Sequence, residues 1–144
     1  MIQIRATDTE ADLEGSPEDL QHIREAMLRL LASSEARLSV EACATGDPSP
    51  YARLLSELHI ERTTGPMRVA IANESMLVLS GSDESLNRFA SWFDFPAVTS
   101  QAHKHHEYFA GNQYIAADSV PLVIGARAQQ ALGGDSRKAA RASS

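Results

Sequence analysis

Met67-Arg68-Val69-Ala70-Ile71-Ala72-Asn73-Glu74-Ser75-Met76-Leu77-Val78-Leu79-Ser80 is the stretch on which the reading of the fold depends. Aliphatic runs, Met67 to Ala72 and Ser75 to Ser80, flank a polar pair, Asn73-Glu74, of the kind that makes a tight turn. The pattern predicts a central β-hairpin. Gly81-Ser82-Asp83-Glu84 then ends the hairpin and caps a helix, because a serine accepts from free N–H groups and two acids suit the positive end of the dipole. Leu86, Phe89, Ala90 and Phe93 make that helix's apolar stripe, and Pro96 stops it. Trp92 lies off the stripe and is expected to cover another edge of the core.

Upstream of the hairpin, Leu58 to Thr63 reads as a strand. Tyr51 to Leu58 fits either a short helix, through Tyr51, Leu54, Leu55 and Leu58, or irregular packing. Thr45 to Pro50 is a loop, since two prolines and a glycine oppose a regular ladder. Arg37 to Cys43 alternates, with Leu38, Val40 and Ala42 on one face, and Cys43 is expected to be a small buried hydrophobe. Ser16-Pro17-Glu18-Asp19 announces the other main helix, whose stripe is Leu20, Ile23, Met27, Leu30 and Leu31. Before it come a short strand (Ile2, Ile4, Ala6) and an acidic loop from Asp8 to Glu14. Downstream of the hairpin, the histidine-rich run near residue 105 and Ser119-Val120-Pro121-Leu122-Val123-Ile124 read as two more strands. Pro121 places the second at a sheet edge or at a strand start. The sum is an α+β fold: a mainly antiparallel sheet of five to seven strands, with two main helices packed on one face. Residues 1–126 read as a single domain and 127–144 as a flexible basic tail.

Bulk properties narrow the function. The net charge of −6 and isoelectric point near 5.3 argue against nucleic acid, which needs a concentrated basic face. They suit solubility or a basic protein partner. One cysteine allows no intrachain disulfide and fits a reducing compartment. No apolar run approaches the ~18 residues that span a bilayer, and the N-terminus has no signal-peptide pattern. The expectation is a cytoplasmic protein with no membrane contact.

His103-Lys104-His105-His106-Glu107-Tyr108 holds three of the chain's five histidines. On a strand, His103, His105, Glu107 and Phe109 share one face, with same-face residues roughly 7 Å apart along it. Two imidazoles so placed can converge on zinc or another divalent transition metal, with Glu107 as a local third ligand. His22, His59, Asp94 and Asp118 are the distant candidates for completing such a site. His105 with Glu107 is the better acid–base pair, and a metal-binding protein or small metal-dependent hydrolase using the His-x-His pair is the alternative function. No metalloprotease, Walker or dinucleotide motif extends the run. Without a Gly-x-Ser-x-Gly elbow, Asp118-Ser119 reads as a turn into a strand, not as a nucleophile. Read as a contact surface instead, the run offers His103, His105, His106, Glu107 and Tyr108 to another protein.

From about residue 65 to 125, the hairpin leading into Ser80-Gly81-Ser82, the helix, the run from His103 to Phe109 and Asp118 to Ile124 together resemble small bacterial α+β proteins, among them immunity proteins of polymorphic toxin systems. The resemblance implies a non-enzymatic protein that neutralises a toxin by binding it, and no cofactor is expected beyond the divalent metal of the alternative reading. A basic toxin domain would match the acidic balance of this chain. The leading expectation is thus a small binding protein, with a homodimer as the other protein partner.

Overall fold

The structure is a computed structural model that describes residues 1–128. In chain order the elements are β1 (Gln3–Ala6), β2 (Ala11–Gly15), α1 (Pro17–Leu31), β3 (Arg37–Glu41), β4 (Arg53–Leu55), β5 (Glu57–Arg62), β6 (Arg68–Ala72), β7 (Met76–Gly81), α2 (Asp83–Ala90), a 3-10 turn (Ser91–Phe93), β8 (Gln101–His106) and β9 (Leu122–Arg127). The class is α+β, with helices packed against strands. The strands form two sheets rather than one: a five-stranded sheet ordered β4-β1-β2-β9-β8 and a four-stranded sheet ordered β3-β5-β7-β6. Each holds one parallel pair, β2 with β9 and β5 with β7, among antiparallel neighbours. No described helix is long and apolar enough to cross a membrane.

The hairpin forms as its sequence predicts, β6 against β7 with Ala72 opposite Met76. Both turn residues have positive φ, Asn73 at 53° and Glu74 at 59°, which is what a two-residue turn matched to strand twist requires. The hairpin is not central, however. β7 lies inside the sheet, whereas β6 is its last strand, and the segment from 114 to 120 covers β6's outer edge. Met67 bridges Ile115 there, and the Ser119 hydroxyl accepts from the Val69 N–H at 2.8 Å. Ser119 is therefore a buried strap, and the adjoining Asp118 is tied to Arg68.

Two stretches correct the sequence reading. Residues 8–14 are not all loop, because Ala11 onward is β2. Its Asp12 is only 5% exposed, and Arg5 on β1 neutralises it, with Nε 3.0 Å from Oδ2. Tyr51 to Leu58 contains no helix: it holds β4, then Ser56, then the start of β5. Ser56 alone separates β4 in one sheet from β5 in the other, and its N–H donates to the Ser75 carbonyl at 2.8 Å. Cys43 is half-buried, not a core residue, with its sulfur 3.3 Å from the Thr45 hydroxyl. β9 begins directly after Pro121, as a proline at a strand start dictates, but it is an inner strand. It also runs through Arg127, beyond the expected domain end at 126; the rest of the expected tail, from 129, lies outside the described residues.

Both helices cap as expected. The Ser16 hydroxyl accepts from the Asp19 N–H at 3.0 Å, while the Asp19 carboxylate accepts from the Ser16 N–H at 3.2 Å. The Ser82 hydroxyl accepts from the Ser85 N–H. Arg62, at the end of β5, joins the opposite ends of the two helices. One of its nitrogens donates to the Leu30 carbonyl in the last turn of α1 and to the Ser33 and Glu35 carbonyls beyond it, and the others grip Asp83 at the start of α2. Leu86, Phe89, Ala90 and Phe93 are buried as their spacing predicts.

A glutamate with positive φ is held where only glycine is free of steric cost. Glu74→Gly is expected to raise stability by about 1 kcal/mol, read as a higher urea midpoint with an unchanged slope.

Candidate functional site

β8 is the last strand of the five-stranded sheet, and its side chains alternate strictly between exposed and covered positions. His103 and His105 point to the outer face, where their rings meet edge to face with centroids 5.0 Å apart. The strand ends at His106, but the alternation persists, so that Glu107 and Phe109 are exposed as well. Phe109 is 65% exposed, an unusual position for a phenylalanine. The four residues grouped by sequence spacing are thus all on the surface, although Glu107 and Phe109 lie beyond the ladder.

Register supplies their neighbours. His103 pairs with Gly125 on β9, which pairs with Glu14 on β2; His105 pairs with Val123, which pairs with Asp12. The Glu14 side chain lies beside position 125, where a Cβ would stand at ordinary contact distance, 3.6 Å from its Cγ and 3.8 Å from Oε2. Glu14 also binds Arg127 at 2.7 Å. Further along the face, the Arg5 guanidinium that pairs with Asp12 stacks over Tyr51, 5.1 Å from the ring centre. Burial, reinforced by Asp12 and Glu10, raises the Tyr51 phenol's pKa. The sequence reading missed this Arg5-Asp12 and Glu14-Arg127 layer. Its signal, alternation of Ala11, Leu13 and Gly15 against Asp12 and Glu14, was masked by the acids on either side.

The metal expectation meets a plain geometry. Among the described residues no three of histidine, cysteine, aspartate and glutamate gather so as to hold an ion. His103 and His105 remain a pair, with Glu107 past the strand end. The distant candidates do not join them: His22 is exposed on α1, His59 binds Glu57 at 2.8 Å on the other sheet, Asp94 follows the 3-10 turn, and Asp118 holds Arg68.

His106 corrects the expected contact surface. Its side chain points to the opposite face of β8 and is 3% exposed. Phe89 and Trp92 meet its ring edge to face, at 4.8 and 5.3 Å between centroids. It cannot touch a partner, and Tyr108 is half-buried on the same side. Nδ1 of His106 is enclosed with no hydrogen-bond partner among the described residues. Burial pushes the pKa of the ring down to about 4, since a low-dielectric site disfavours the imidazolium. Next to it lies a cavity of about 170 Å³, walled by Met67, Phe89, Trp92 and Ile115, with the polar Ser85, Arg88, Asn112 and Tyr114 also lining it. A larger cavity of about 690 Å³ lies between α1 and residues 95–100, and it includes none of the three clustered histidines.

Compared with protein-family models, curated proteins and solved structures, the chain matches none.

The buried ring makes stability depend on pH with a definite sign. Above pH ~6.5 the ring is neutral in both folded and unfolded chains. As pH falls toward about 4, the unfolded chain takes up a proton that the folded chain refuses, so stability is lost across that window. The loss amounts to roughly 3 kcal/mol when complete. His106→Leu is expected to gain about that much on the wild type between pH 7 and pH 4, in urea melts run at matched pH. A constant difference across the range would mean that the ring protonates as freely folded as unfolded.

Proposed function

We propose that this chain is a small, non-enzymatic binding protein that recognises a basic protein partner through the outer side of β8. The observation that carries the reading is the position of His103 and His105. They stand exposed on a terminal strand, with Glu107 and the uncovered Phe109 continuing the same surface. A terminal strand offers unpaired backbone groups to an incoming segment, and an exposed aromatic beside it supplies an anchor of the kind that dominates interface energies. An enzyme would instead gather its histidines in a concave site. The two outward imidazoles lie on an open strand face, which favours contact over catalysis.

Charge supports the nature of the partner. Six arginines (5, 53, 62, 68, 88 and 127) are tied to carboxylates, and Lys104 is spent on the Ser91 and Asp94 carbonyls. Exposed acids such as Glu10, Glu18, Glu25, Glu41 and Glu107 have no ion pair among the described residues. Only Arg24, Arg29 and Arg37 among the described arginines lack an ion pair, so the free charge of the described residues as a whole is mostly negative, which speeds encounter with a basic protein. A cytoplasmic immunity-type role, in which the partner is a basic toxin domain held inactive, is the specific form of this reading. The lone cysteine fits that compartment.

The test compares wild type with His103→Ala/His105→Ala as bait in cross-linked extracts of the source cells. A basic protein enriched only by the wild type, forming a one-to-one complex when purified and weakening as salt rises, is the expected result. Equal enrichment by both baits would sink the proposal. So would self-association in sedimentation that the double change abolishes, since the surface would then serve a second copy of this chain.

A further inference from the structure

Each sheet ends in two terminal strands, β4 and β8 in one and β3 and β6 in the other. The segment from 114 to 120 covers β6, and β4 holds only three residues. β3 is five residues long, and its outer side is open. The Arg62 N–H donates to the Ala36 carbonyl and the Ala42 N–H to the Ser56 carbonyl, so the alternation of an antiparallel pair turns the even-numbered residues of β3 toward β5. Arg37, Ser39 and Glu41 therefore present their N–H and C=O groups outward. Among the described residues no backbone bond from another element meets them there. The open stretch ends at Cys43, whose N–H donates to the Ile2 carbonyl at 2.8 Å.

Arg37-Leu38-Ser39-Val40-Glu41 is matched to its own reverse. Laid antiparallel against a second copy with the two Ser39 residues opposite each other, Arg37 stands opposite the partner's Glu41 and Leu38 opposite the partner's Val40. This register alone uses all five residues, and its hydrogen-bonded pairs fall on the residues whose backbone groups point outward. Arg37 and Glu41 are exposed and have no ion pair among the described residues. Leu38 and Val40 are only half-buried, beside a groove of about 370 Å³ that Ala26 and Leu30 of α1, with Arg29 and Glu35, also line. Charges on an edge strand guard it when they repel a second copy. Here the opposite signs meet across the pair and attract.

We propose that the chain forms a two-fold homodimer by antiparallel pairing of β3 with β3, which joins the two four-stranded sheets into one continuous sheet. The interface is isologous, the same surface serving on both copies. It is separate from the outer side of β8 and does not depend on it.

Sedimentation velocity of the full chain over a wide concentration range is the test. The wild type is expected to form a reversible dimer. Arg37→Glu and Glu41→Arg should each weaken it about tenfold, because by symmetry one change turns two attractive pairs into two repulsive ones. The combined Arg37→Glu/Glu41→Arg chain should dimerise as the wild type does, since the exchanged charges again meet their opposites. Ser39→Pro should abolish the dimer, as it removes an outward N–H that bonds nothing within the monomer and obstructs the ladder. His103→Ala/His105→Ala should leave the dimer intact. If Ser39→Pro does not fold, the charge exchange at two exposed positions decides alone. A wild type that stays monomeric, a dimer that survives a folded Ser39→Pro, single reversals that the combined change does not rescue, or a dimer lost with the histidines would each overturn the proposal.

Discussion

Leu20, Ile23, Met27 and Leu30 form one buried stripe along α1, and that stripe is packed against strands of both sheets, β2 and β9 on one side and β3 on the other. Burying each such aliphatic side chain contributes about 1.5–3 kcal/mol, so pulling α1 away from the sheets would forfeit several such contributions at once. The rest of the architecture follows from holding them together. Ser56 carries the chain from β4 to β5 within one residue, and its backbone is bonded on to Ser75. Arg62 clamps the carbonyls beyond α1 to the acidic start of α2. That places cationic charge at one helix's negative end and joins it to the other's positive end.

With the inner faces committed to this core, polar chemistry is mostly confined to the outer faces and the sheet edges, His106 being an exception. On the five-stranded sheet the result is an ordered layer in which Arg5 neutralises Asp12 and Arg127 neutralises Glu14. The layer runs up to His103 and His105, which have no such partner. Gly125 lies between Glu14 and His103 in the register. The outward end of β8 is therefore a place where the charge network stops and uncommitted imidazoles, a carboxylate and an aromatic ring begin.

One strand thus divides three neighbouring histidines between two environments. His103 and His105 face water, while His106 is sealed among Phe89 and Trp92. The sealed ring lowers stability as acid is added and leaves a polar atom unpaired in the core. Natural cores rarely keep such a group without a purpose. It lies beside a cavity rimmed by Arg88 stacked on Tyr114. The two faces of β8 carry separate chemistry on a single backbone.

Local chemistry was legible in the amino-acid sequence. Ser16 and Ser82 cap their helices because a hydroxyl beside free N–H groups acts within one turn, and Leu20 to Leu30 reveal a helix face through spacing alone. The Asn73-Glu74 turn and the alternation from His103 to Phe109 were readable for the same reason, since each depends on residues a few positions apart. Pairing over long distance was not. β2 looked like an acidic loop because the arginine that neutralises Asp12 sits on another strand, and the arginine that binds Glu14 is more than a hundred positions away. Residues 51–58 showed helical spacing, yet sheet pairing overrode it. Division into two sheets, each with a parallel pair, is a property of non-local contacts that no local period encodes. The period-two rule separated His106 from His105, but only the packing of Phe89 on α2 and Trp92 in the 3-10 turn against His106 decided which of them is buried, because a strand's alternation is symmetric until something covers one face.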